Sequence, residues 1–139
     1  MSAKLKYAFL CDGAMVVQGK WTFQGLFSVI NAYVFPVLHP QMILAMEFAG
    51  PAGAQVLRIH YLDSCGKMLG PEVKHLVECP EFTDATVIVS FSPTPIPSAG
   101  FYHFKVWMNQ DPEPFADVEF RAVKVPGLQV HPEDSNYRA

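Results

Sequence analysis

Apolar and polar residues alternate along most of this chain. From Tyr7 to Val125, short apolar, β-branched and aromatic runs are broken by Gly, Pro and Asp. The clearest run is Gly100 to Asn109. There Tyr102, Phe104, Val106 and Met108 fall on one face, and His103, Lys105 and Asn109 on the other. A period of two marks a half-buried strand. The same period predicts strands over Leu5–Leu10, Ala14–Val17, Lys20–Ile30, Gln41–Phe48, Gln55–Leu62, Glu72–Glu78, Thr83–Phe91 and Phe115–Val125.

Details of the runs refine this picture. Leu5, Tyr7, Phe9 and Cys11 are expected to share a core face. Trp21, Phe23, Phe27 and Val29 share a face of the third strand, opposite Thr22, Gln24, Leu26 and Ser28. Gly25 interrupts that strand and predicts a bulge or a close backbone approach. Gln18-Gly19 predicts a turn between two strands. The nearly unbroken apolar run Gln41–Phe48 predicts a central strand, and the polar Glu72–Glu78 an edge. Asn31–Pro40 reads as a loop. So does Ser92–Ser98, stiffened by alternate prolines that cannot donate to a ladder.

Turn signals at this spacing, with no long amphipathic helix and no repeat, predict an all-β fold. The expected architecture is a single antiparallel β-sandwich of immunoglobulin-like type, with a closed β-barrel as the competing arrangement. It would span residues 1–126 and end in a flexible tail over 127–139.

Composition narrows the function classes. The chain has 139 residues, half of them apolar and only 17% charged. That is enough for one domain with a substantial core. The apolar excess is absorbed either by that core or by surface that a protein partner or a second copy covers. The net charge is −3 and the cations are scattered. Nucleic acid and anionic membrane are therefore disfavoured, since both need clustered Lys and Arg. Asp12 ends the first apolar run early, and no run approaches a membrane span, so a soluble, cytoplasmic chain is expected. Cys11, Cys65 and Cys79 are odd in number and form no CxxC pair, which suits reduced thiols.

Several short strings carry a family likeness. They are Phe9-Leu10-Cys11-Asp12, Gly19-Lys20, Gly25-Leu26-Phe27, Phe35-Pro36 and His39-Pro40, then Leu57-Arg58-Ile59, Leu62-Asp63 and Gly66-Lys67. Together with the later Gly-x-Tyr-x-Phe strand, the stretch from Tyr7 to Lys67 resembles a family of small uncharacterised bacterial β-sandwich proteins. The resemblance implies the fold and brings no catalytic residue or cofactor with it.

No nucleophile elbow, P-loop, dinucleotide fingerprint or HExxH motif occurs, so no enzyme activity is expected. Cys11 lacks an activating neighbour and reads as core. His60, His75 and His103 are the zinc or copper set to weigh, and they lack ligand spacing. Asp111, Glu113, Asp117 and Glu119 read as a solvated hairpin and not as a calcium loop. Phe101 and Trp107 project from the polar face of their strand beside His103 and Lys105. Either they pack under a loop, or Phe101, Lys105 and Trp107 form a binding patch to which Leu26 and Ile30 add. The expected function is a non-enzymatic binding or assembly module working through an apolar strand face or a sheet edge. The alternative is a small-molecule or metal-binding domain. No cofactor is expected.

Overall fold

A computed structural model describes residues 3–127. Among them are twelve strands and no helix, hence no helix able to cross a membrane. In chain order these are β1 (Lys4–Cys11), β2 (Gly13–Val17), β3 (Lys20–Gln24), β4 (Val29–Ala32), β5 (Val37–His39) and β6 (Met42–Ala49). Then follow β7 (Gly53–Asp63), β8 (Val73–Cys79), β9 (Ala85–Phe91), β10 (Thr94–Ile96), β11 (Gly100–Met108) and β12 (Ala116–Lys124). The tail expected beyond Gly127 lies outside the described residues.

Two sheets carry most of the chain, ordered β1-β6-β9 and β4-β12-β11-β7-β8. Two ribbons, β2-β3 and β5-β10, complete it. The central position expected for the apolar run is that of β6, and the expected polar edge is β8. Both sheets contribute to one apolar cluster. It includes Leu44, Met46 and Phe48 from the smaller sheet and Ile59, Phe104 and Phe120 from the larger. Tyr61, Tyr102, Phe104 and Phe120 stack along it, with Tyr61 and Phe104 centroids 4.8 Å apart.

The structure corrects four local expectations. The strand expected over Lys20–Ile30 breaks at Gly25, whose φ is +67°. A Cβ there would lie 2.6 Å from the Asp12 carboxylate, so the close approach foreseen at this glycine is real. The break moves the chain into another sheet and reverses its parity. Ile30 is buried and Val29 exposed, so Ile30 belongs to the core and not to a surface patch.

The second correction concerns β1. A bulge between Leu5 and Tyr7 shifts its register, so Ala8 and Leu10 pair with the core residues Met46 and Leu44. Tyr7, Phe9 and Cys11 therefore face the other side of the sheet. Third, neither the proline-spaced segment nor Asn31–Pro40, which holds β5 and the end of β4, is a free loop. Thr94 to Ile96 pair with Val37 to His39, and the Pro95 carbonyl accepts the Tyr61 hydroxyl at 2.7 Å. Pro95 lacks only a donor, and a two-stranded ribbon tolerates that loss. Fourth, pairing is not purely antiparallel. β4 runs parallel to β12, with Arg121 N–H donating to Ser28 O and Val125 N–H to Ala32 O, each at 2.9 Å.

Candidate functional site

The outward face of β11 carries Phe101, His103, Lys105 and Trp107, and strand pairing decides their company. Trp107 lies opposite Arg58 on β7. The Arg58 guanidinium sits 5.5 Å from the Trp107 ring and the His60 ring 4.5 Å from it. Arg58 is held by three other contacts: Nε to Asn109 O at 2.7 Å, Nη2 to Asp111 O at 3.2 Å and Nη1 to Glu72 at 3.5 Å. Trp107 is thus half-buried under fixed side chains and not an open anchor. Lys105, also half-buried, lies between Asp117 on β12 and His60 on β7. Phe101 is the exposed one of the three, with the Arg121 guanidinium over its ring.

Charges on this face largely compensate one another. His103 contacts Asp117 at 2.8 Å and Glu119 at 3.3 Å. His60 contacts Glu72 at 2.7 Å. That hydrogen bond is the main reason the Glu72 carboxyl lies below its ordinary range, reinforced by the charges of His60 and Arg58. The three histidines weighed as metal ligands do not converge. His75 is opposite the buried Leu57, on the core side of the sheet, whereas His60 and His103 lie on the outer side. No group of three metal-ligating side chains comes together among the described residues. Burial raises the thiol pKa of both Cys11 and Cys79, the opposite of what nucleophilic attack requires.

A cleft of about 250 Å³ opens beside β10, lined by Ile59, Tyr61, Leu69, Val73, Phe91 and Pro93 among others. Its hydroxyls are engaged: Tyr61 donates to Pro95 O and Thr94 to Phe91 O. Among the described residues no charged side chain lines it.

Four exposed apolar side chains, Met15, Val16, Val17 and Trp21, gather elsewhere, on the β2-β3 hairpin. Gln18 and Gly19 both have positive φ, 52° and 75°, which gives the two-residue turn that joins twisted strands tightly. Ala14 pairs with Phe23 and Val16 with Trp21, so these four share a face. The base of that face is packed. Phe23 meets Phe9 edge-on at 4.8 Å, and Tyr7 stacks on Phe9 at 5.3 Å. This packing explains why Ile43 and Ala45, on the outer side of β6, are buried. Toward the tip, Val16 is 58% and Trp21 43% exposed, while Met15 and Val17 on the opposite face are 44% and 45% exposed. The sequence shows apolar residues on both faces of β2, with Met15 and Val17 opposite Thr22 and Lys20 of β3. It does not show that the body of the protein covers only the base of one.

Residues 6–121 match the model of a family described as Family of unknown function (DUF6941). A search of curated proteins finds no match. Among solved structures the chain is similar to a Pseudomonas fluorescens protein, "alkylpurine DNA glycosylase AlkC bound to DNA containing an abasic site analog". Identity is 12% and the TM-score 0.45, over 87% of this chain and 30% of that one. The likeness thus takes in under a third of the other protein's length.

Proposed function

The chain belongs to that family of unknown function, so its role has to be read from its own surfaces, and we propose that it is a non-enzymatic protein-binding module that docks through the β2-β3 hairpin. The observation that carries this is the outer half of the hairpin. Four large apolar side chains, Met15, Val16, Val17 and Trp21, stand in water there on a ribbon whose base is clamped by aromatics. Trp and Met are enriched at interface centres, where a partner that removes water gains most, and the two valines enlarge the apolar area around them. The partner is a protein with a complementary apolar groove. Phe101, Lys105 and Trp107 take a lesser part, because Arg58, Arg121 and the acids of β12 already cover or neutralise their face.

We infer with it the finer architecture, an immunoglobulin-like sandwich. Its support is the strand order: β1, β6 and β9 stand as strands A, B and E would, and β7, β11 and β12 as C, F and G. Further support comes from Tyr102, whose hydroxyl donates to Ser98 O at 2.6 Å four residues upstream, as in a tyrosine corner. A cytoplasmic location fits the three free thiols.

The test replaces Val16 and Trp21 together by Ser. The double variant should keep the far-ultraviolet dichroism of the parent and lose the protein partner that the parent crosslinks in its host. An unchanged crosslinked partner with the variant would refute the hairpin as the docking surface.

A further inference from the structure

Among the described residues the larger sheet ends at β8, whose far edge pairs with no other strand. Which backbone groups that edge presents follows from β7. Val56 directs both its peptide groups toward Asn109: its N–H donates to Asn109 Oδ1 at 2.9 Å, and its carbonyl accepts Asn109 N–H at 2.7 Å. Val56 lies opposite Leu76, so Leu76 points its own N–H and C=O away from β7. Lys74 and Glu78, two residues to either side, do the same. All three side chains are exposed, Leu76 by 70%.

Charged residues normally blunt an edge against pairing. Here they are disposed symmetrically about Leu76 with opposite signs. Within the monomer Lys74 sits opposite Arg58, an unfavourable like-charge neighbour. Neither Lys74 nor Glu78 joins an ion pair among the described residues.

We propose that β8 pairs antiparallel with β8 of a second copy of this chain, about a two-fold axis at Leu76. In that register Leu76 faces itself, Lys74 faces Glu78, and Glu78 faces Lys74. Residues with outward peptide groups meet one another, so each of these pairs exchanges two backbone hydrogen bonds. On the core side, Val73 meets Cys79 and His75 meets Val77. Neighbouring registers lose the charge match. Centring on His75 sets Glu72 against Glu78 and Lys74 against Leu76, and centring on Val77 sets Glu78 against Leu76, so neither opposes the two charges. The contact is isologous, as a two-fold dimer requires, and merges two larger sheets into one. It goes beyond the hairpin proposal, because no hairpin residue takes part and each dimer carries two hairpins.

Sedimentation equilibrium of the full chain, up to about 1 mM, tests it. The expected result is a reversible species of twice 15.5 kDa. Lys74→Glu should weaken association about tenfold by setting Glu against Glu on both sides of the axis. The exchange Lys74→Glu with Glu78→Lys should restore it, since only the Leu76-centred register opposes these two positions. Leu76→Pro should abolish the dimer with little change in dichroism, because the Leu76 N–H serves no ladder within the monomer. Should that variant unfold, the charge exchange decides alone. A monomer throughout, a dimer indifferent to Lys74→Glu, or an exchange that restores nothing would overturn the proposal. None of these results bears on the Val16 and Trp21 test.

Discussion

Asn109 closes the end of β11 with four hydrogen bonds, and its loss should be felt well beyond one side chain. Its Oδ1 accepts from Val56 N–H at 2.9 Å, and its Nδ2 donates to Gln55 Oε1 at 2.6 Å. Gln55 is buried and spends its own amide on Pro51 O at 3.0 Å. The Asn109 backbone adds the bonds to Val56 O and from Arg58 Nε, while holding φ at 53°. Asn109→Ala removes both side-chain bonds and leaves the Val56 donor and the Gln55 acceptor short of partners. At a half-buried site each costs about 1 kcal/mol, the low end of the range for an orphaned group. The left-handed backbone costs a further ~1 kcal/mol, because Ala lacks the tolerance of Asn for it. The sum is about 3 kcal/mol. With a urea slope of about 2 kcal/mol/M, the unfolding midpoint falls by about 1.5 M at constant slope. Asn109→Gly keeps the backbone at ease and should lose only about 2 kcal/mol, so the gap between the two variants isolates the φ contribution. A loss below about 1 kcal/mol in Asn109→Ala would show that this end of the strand is held by something other than Asn109.

Two further outcomes follow from named contacts. Gly25→Ala should destabilise the fold by about 1–3 kcal/mol, through its positive φ and the overlap with Asp12. In a thermal-unfolding double-mutant cycle, Asp12→Ala should relieve the overlap with the carboxylate and leave the φ cost and the 3.1 Å approach of the residue-12 Cβ, and strictly additive effects would refute the carboxylate part. The lowered pKa of Glu72 makes the second outcome a pH dependence. A carboxyl depressed in the folded state stabilises fully above its unfolded value, about 4.3, and that contribution is lost as pH falls through the lower folded value. Glu72→Gln should flatten this acid limb in urea titrations run at successive pH values, and an unaltered limb would exclude Glu72 as its source.

Local chemistry made much of this protein legible before any contact was known. The β11 alternation survives residue by residue, because a strand with one face in a core must repeat every second residue. Gln18-Gly19 is the turn its backbone requirements suggested, and Gly25 is the close approach a missing Cβ permits. The apolar run over β6 and the polar run over β8 foretold their central and edge positions. Family membership rests on the match over residues 6–121, a range that contains the strings in which the likeness was read.

What alternation leaves open is which face looks inward, and that was settled by distant pairings. One bulge after Leu5 turned Tyr7, Phe9 and Cys11 to the outer side, where the hairpin base and not the main core covers them. The break at Gly25 exchanged Ile30 for Val29. Trp107 looks free in sequence, yet Arg58 and His60 arrive over it from a strand some fifty residues earlier. The self-complementary charges of β8 matter only because Val56 is engaged by Asn109 on its other side. A period of two is a property of neighbouring residues, whereas burial and the direction of an edge depend on long-range pairing, and no local pattern encodes that.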